Sequence, residues 1–249
     1  MEKLIACDPI MGLPRGPMDN CEPGRDDLLS EMARLGITTA IVRHQSTFDT
    51  GPIIANQAVL DATSDSDALV PACFVTPDGF EPDFDPAETV DSMLQKGVQV
   101  CWTDPQAEHF SPRPWCSGPL YEVIESRRVP LLMDYQTVNA DDLDSILNNF
   151  PDLRLILVGV PRLGRNRLVY PLLRRHSNLY MCLSHTYSVH CGVEDLCKTF
   201  GHGRWVFGMG YPQAEGGAAI TGLSYASICA EAKQAIAYQT IERLLKDVR

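Results

Sequence analysis

Acidic and basic side chains follow several short apolar segments of this sequence, at the points where those segments end. Four of them are candidate catalytic groups: Asp8, His44, Asp134 and His185. An imidazole titrates near neutral pH, so a histidine beside a carboxylate is a suitable acid–base unit. Either aspartate can act as a base or orient a histidine, and either histidine can carry the proton.

A second set of residues near these ends consists of candidates for substrate binding. Arg43 precedes His44, and its guanidinium can hold a carboxylate through two parallel hydrogen bonds. The others are Asp104, His109, Trp115, His190 and Tyr211. Structural alternatives stay open, because Arg43 can instead neutralise Asp8 or Asp134 and an aspartate before a proline can simply shape a turn. Loop histidines are also often only solvated.

These residues lie between regularly alternating strand and helix patterns. The predicted strands cover residues 3–7, 37–43, 69–75, 98–102, 129–134, 153–159, 178–184 and 204–208. The predicted helices cover residues 25–35, 51–63, 85–96, 117–127, 139–149, 163–175, 193–200 and 230–247. Continuous apolar strands are typical of a parallel sheet buried on both faces. The pattern predicts an α/β fold in which residues 1–249 form a single (β/α)8 TIM barrel.

A barrel gathers the carboxyl ends of its strands around one mouth, where sites are built. The candidate residues follow different strands and are therefore expected to meet there. Three long connections, at residues 8–24, 76–84 and 103–116, also follow strand ends. They either cover the mouth or form ordered surface loops.

Three motifs carry a resemblance to a known family. They are F-P-D-L at 150–153, N-L-Y-M-C-L-S at 178–184 and R-W-V-F-G-M-G-Y-P at 204–212, the last followed by a Gly/Ala-rich turn. In this order they resemble the later strands of the amidohydrolase-related (amidohydrolase 2) family, a family of metal-dependent hydrolases. The resemblance implies the barrel fold and a hydrolase or lyase activity, since the superfamily includes amide and ester hydrolases, lactonases and decarboxylases.

The resemblance also implies a metal site, usually zinc, that this sequence does not preserve. The five ligand positions of the family fall on Asp8, Ile10, Asp134, Gly159 and Gly210. Only the two aspartates keep a donor atom. Two carboxylates with water can hold a hard cation, and that question stays open, but they do not resemble the histidine-rich set that activates a water. We predict a degenerate metal site and no cofactor.

Composition restricts the partners. The formal net charge of −11 argues against nucleic acid and anionic membranes as partners. No segment approaches the ~20 apolar residues of a membrane span. The nine cysteines are an odd number, spread evenly without a secretory signal, which argues against a disulfide framework and favours a reducing compartment, predicted to be the cytoplasm. We expect a small-molecule partner and leave a homodimer open.

Two functions of different classes follow. The first is an enzyme, a hydrolase or lyase that acts on a small, carboxylated molecule without the usual metal. The second is a catalytically inactive barrel that binds a ligand or a protein. The polar mouth favours the first, and the glycine at position 210 favours the second.

Overall fold

The computed structural model of the chain describes residues 3–12, 23–45, 51–78, 84–161 and 167–249. Parts of two predicted long connections, at 13–22 and 79–83, lie outside the described residues. The first residues of the predicted helix at 163–175 do so as well.

In the described part of the chain, nine parallel strands build the sheet. They are β1 Ile5–Ala6, β2 Ile10–Met11, β3 Thr39–His44, β4 Leu69–Phe74, β5 Val100–Thr103, β6 Leu131–Asp134, β7 Leu155–Val158, β8 Leu179–Leu183 and β9 Trp205–Phe207. The sheet closes because β1 pairs with both β3 and β9. β2 is a short addition that pairs with the end of β3. The remaining eight strands form the predicted (β/α)8 barrel, so the fold prediction is confirmed.

Helices surround the barrel. They are α1 Arg25–Leu35, α2 Pro52–Thr63, α3 Pro86–Gln95, α4 Pro114–Ser126, α5 Ala140–Asn149, α6 Val169–Arg175, α7 Gly192–Phe200, α8 Gly217–Tyr225, α9 Ala230–Gln234 and α10 Thr240–Lys246, with a π-helix at Ala235–Gln239 between the last two. In the described part of the chain, none of them has the length and hydropathy that crossing a bilayer requires.

Two helices differ from the prediction. α4 begins at Pro114 rather than at 117, which puts Trp115 in its first turn. α8 occupies the Gly/Ala-rich segment for which the sequence predicts a turn. The alanines and the leucine of this segment are good helix formers, and here they outweigh its glycines.

The side chains of the strands form two apolar layers. One layer fills the barrel interior, with residues such as Ile41, Trp102 and Leu132. The other lies between the strands and the helices, with residues such as Val42 and Met133. Because successive side chains of a strand point to opposite faces, neighbouring residues belong to different layers. This alternation determines which polar residues face the interior.

The C-terminal helix closes the amino end of the barrel. Ile241 and Leu244 of α10 pack within the interior layer. Arg154, which precedes β7, donates hydrogen bonds to the Leu244 carbonyl at 3.2 Å and to Asp247 at 2.8 Å. The carboxyl ends of the strands are therefore the end left for a site.

One buried amide links a helix to the sheet. Asn56 of α2 donates to the Phe74 carbonyl at 2.8 Å and accepts from the Phe74 amide at 2.7 Å. Replacing Asn56 by alanine removes both hydrogen bonds from a buried strand end, so we expect a loss of about 2–3 kcal/mol in the free energy of unfolding. Urea denaturation measures it. Asn149→Ala is the control, since this exposed amide donates to the Ser145 carbonyl on the helix surface, and equal losses in the two variants would contradict the assignment.

Candidate active site

An ion pair that is buried on its arginine side crosses the mouth of the barrel. The Arg43 side chain points from β3 into the interior and donates from Nη1 to Asp134 Oδ2 at 2.8 Å. Its side chain is only 3% exposed, against 31% for Asp134. Nη2 donates to the Asp8 carbonyl at 3.2 Å, and the guanidinium carbon lies 5.4 Å from the centroid of the Trp102 ring. One cation thus joins the ends of β1, β3 and β6.

The Asp8 carboxylate lies beside this pair, against the strand that closes the barrel. Oδ1 accepts the Met209 amide at 2.7 Å, and both oxygens accept the Gly210 amide, at 3.1 and 3.0 Å. Burial raises the pKa of Asp8, and this effect exceeds the lowering by those two amides and by the charges of Arg43 and His185. A carboxyl with a raised pKa at a barrel mouth is suited to proton transfer.

Two glycines in the segment that follows β9 provide space for polar side chains. A β-carbon on Gly208 would lie 2.5 Å from Asp8 Oδ2 and 2.5 Å from Cys182 Sγ. A β-carbon on Gly210 would lie 2.6 Å from Cε1 of His185 and closer still to its Nδ1. Gly210 also has a φ of 71°, which disfavours side chains. The imidazole of His185 therefore fills the place next to position 210, and its buried Nδ1 has no hydrogen-bond partner in the described structure.

The structure brings three of the four candidate catalytic residues together. Asp8, Asp134 and His185 lie with Arg43 at the mouth, whereas His44 follows Arg43 directly in β3 and faces the opposite side of the strand. There its ring lies against Gly12, where a β-carbon would be 3.0 Å from His44 Cε1. Partial burial lowers the pKa of His44. A catalytic role for any of the four stays a prediction.

The other substrate-binding candidates are dispersed. Asp104 is buried and accepts the Ala107 amide at 3.0 Å, which stabilises the turn after β5. Trp115 is 78% exposed at the start of α4, and Tyr211 is buried in the layer beneath the helices. His109 is exposed, as is His190, whose Nε2 contacts Cys191 Sγ at 3.5 Å. Their role in substrate binding is untested.

The donor atoms at the mouth do not fit the metal site of the family. Within the described residues, no group of three histidine, cysteine, aspartate or glutamate side chains is placed to hold a metal ion. Ile10, Gly159 and Gly210 have no donor atoms in their side chains, and Asp8 and Asp134 already accept hydrogen bonds from the protein. No step of the chemistry is therefore assigned to a metal.

Sequence reasoning missed several members of this cluster, namely Trp102, Cys182 and Gly208. Because successive side chains of a strand point to opposite faces, the alternation along β3 predicts that Arg43 and His44 face opposite sides of the sheet. The same rule places Trp102 in the barrel interior. The contacts of His185 with Gly210 carry no sequence signal, because they depend on how a loop folds back over the neighbouring strand.

Substituting Gly210 tests whether the His185 ring occupies the space beside it. Gly210→Ala is expected to cost about 2–4 kcal/mol of unfolding free energy, since backbone strain at positive φ adds to displacement of the imidazole. Gly97→Ala is the matched control, because Gly97 has a φ of 85° but no described atom lies within 4 Å of the place that its β-carbon would take. It should cost only about 1–2 kcal/mol. Thermal and urea unfolding measure both, and equal costs would show that the ring does not occupy this space.

The raised pKa of Asp8 predicts a pH dependence of stability. Its pKa is higher in the folded protein than in the unfolded chain, so its contribution is complete below the unfolded pKa and is lost as pH rises through the folded pKa. Asp8→Asn should therefore lose less unfolding free energy than the wild type across this window. Urea titrations at several pH values measure the difference, with the carboxyl ¹³C resonance as a direct check. Parallel curves, or titration below the usual aspartate range, would contradict the burial argument.

Comparisons with known proteins agree with this architecture. The sequence model of the amidohydrolase family matches residues 5–246. No curated protein matches the chain. Among solved structures, 2,6-dihydroxybenzoate decarboxylase from Rhizobium is 14% identical, with 99% of each chain covered and a TM-score of 0.76.

Two further structures have the same fold. A putative 2-pyrone-4,6-dicarboxylic acid hydrolase from Pseudomonas putida is 16% identical, with 99% of this chain and 98% of that chain covered and a TM-score of 0.72. 5-Carboxyvanillate decarboxylase from Sphingomonas paucimobilis is 13% identical, with 100% of both chains covered and a TM-score of 0.67. At these identities the likeness shows the fold alone. The family match spans nearly the whole sequence, and the chain belongs to the amidohydrolase family.

Proposed function

We propose that the chain is an enzyme that hydrolyses or decarboxylates a small carboxylated molecule by proton transfer at the barrel mouth. The observation that carries the proposal is the buried Asp8 carboxyl, whose pKa is raised beside a fixed guanidinium and an imidazole. Structural neighbours named for dihydroxybenzoate, carboxyvanillate and pyrone dicarboxylic acid support carboxylated ring compounds as the substrate class.

The proposed roles follow from charge and burial. Both reaction types need a proton moved at a defined atom, from the attacking water or to the carbon that loses carbon dioxide. Asp8 serves as this acid or base, and His185 is its partner across Gly210. Arg43 orients the substrate carboxylate electrostatically, and Asp134 holds the guanidinium in place. General acid–base catalysis of this kind contributes ~10²–10⁴-fold, so the substrate is expected to be labile, such as a lactone or an activated acid.

The second candidate is a ligand-binding barrel without catalysis. Its support is that the charges at the mouth already have partners in the protein: Arg43 pairs with Asp134, and the Asp8 carboxylate accepts two backbone amides. Such internal pairing is also what a purely structural cluster shows. Turnover therefore separates the two candidates better than binding does.

A substrate screen with matched variants tests the proposal. We expect ultraviolet assays on carboxylated lactones and hydroxylated benzoates to find a substrate, and Asp8→Asn to lower turnover ~10²–10⁴-fold. Asp91→Asn is the control, since Asp91 forms an ion pair with Arg127 away from the mouth. The proposed role fails if folded Asp8→Asn keeps wild-type turnover. Saturable binding by the wild type without any turnover would favour the second candidate.

A further inference from the structure

The positive charge at the mouth of this barrel is a side chain of the protein itself, Arg43. The Arg43 guanidinium bonds Asp134, which stands at the ligand position of β6, and the carbonyl of Asp8, which stands at the ligand position of β1. One cation thus contacts the side chain of Asp134 and the main chain of Asp8, whose carboxylate turns to the Met209 and Gly210 amides instead. The guanidinium carbon lies over the Trp102 ring, 5.4 Å from its centroid.

The space beside the ion pair, which additional metal-binding side chains would need, is already filled by other residues. The Asp8 carboxylate occupies the space at Gly208, and the His185 ring occupies the space at Gly210. Position 210 accepts no carboxylate side chain without moving the imidazole, because even a β-carbon there would be 2.6 Å from Cε1. The residues at these positions therefore constrain one another, because neither glycine can gain a side chain unless Asp8 or His185 moves.

The positive charge of Arg43 also opposes the binding of a divalent metal ion at the mouth. A guanidinium in contact with Asp134 neutralises that carboxylate and repels a divalent ion from the same position. The pair is largely buried on the arginine side, so solvent screens the repulsion only weakly.

We propose that Arg43 takes the place of the divalent cation of the family, so that a fixed guanidinium supplies the positive charge of the mouth. A guanidinium stays protonated at any physiological pH and binds carboxylates in a planar geometry. This inference rests on family membership and on the geometry of the cluster. It does not depend on the proposed activity, and its test needs no turnover.

Manganese binding tests the proposal. The wild type is expected to bind no Mn²⁺ at the mouth. Arg43→Ala removes the guanidinium and exposes Asp134 and the Asp8 carbonyl to a hard cation, so it should gain Mn²⁺ affinity. At a Mn²⁺ concentration ~10 times the dissociation constant, the Tm of Arg43→Ala should rise by about 3–6 °C. Electron paramagnetic resonance counts the bound ions, and unfolding scans give Tm.

Two controls locate the effect. Arg43→Ala with Asp134→Asn should lose the gain. Arg204→Ala should show none, although Arg204 also lies over aromatic rings, because it bonds the carbonyls of Leu173 and His176 rather than a carboxylate. If Arg43→Ala does not fold, Arg43→Gln replaces it under the same expectations.

Two results would overturn the inference. One is Mn²⁺ binding by the wild type that Asp134→Asn abolishes, because the guanidinium would then not exclude a metal. The other is a folded Arg43 variant that gains no Mn²⁺ affinity, because Arg43 would then only pair with Asp134 without standing at a cation site.

Discussion

The ion pair between Arg43 and Asp134 is the constraint on which the arrangement of the mouth depends. It joins β3 to β6 across the barrel, and the second guanidinium nitrogen adds β1 through the Asp8 carbonyl. An unpaired charge at this depth would be costly, since breaking a buried ion pair typically costs about 3–5 kcal/mol. The pair therefore fixes the side chains around it, including the Trp102 ring, which in turn packs edge-on against Phe74 at 4.6 Å between centroids.

The two glycines that follow β9, Gly208 and Gly210, leave room for polar side chains from other parts of the chain. Position 210 has no side chain, yet its amide donates to Asp8 and its open face receives the His185 ring. Gly208 gives the same room to the Asp8 carboxylate. The space at these two glycines is thus filled by polar groups that come from the end of β1 and from the loop after β8. The mouth therefore holds a carboxylate and an imidazole, both against Gly210.

Much of the fold was predictable because its signals are local. The apolar segments that form β3 to β9 are largely buried, and Asn139 and Asp85 cap the helices that follow them with their side chains. The site was less predictable. The sequence left open whether Arg43 binds substrate or neutralises an aspartate; the structure pairs it with Asp134, and its role towards a substrate stays a prediction. The pairing depends on barrel closure, which brings residues 91 positions apart into contact.

A double-mutant cycle on Arg43 and Asp134 measures how strongly the mouth depends on this ion pair. Arg43→Met, Asp134→Leu and their combination replace the pair by apolar side chains of comparable size, and urea denaturation gives the free energy of unfolding of each. The double variant is expected to lose about 1–3 kcal/mol less than the sum of the single losses, because each single change leaves one charge without its partner. Additive losses, within about 0.5 kcal/mol, would show that the two side chains do not depend on each other.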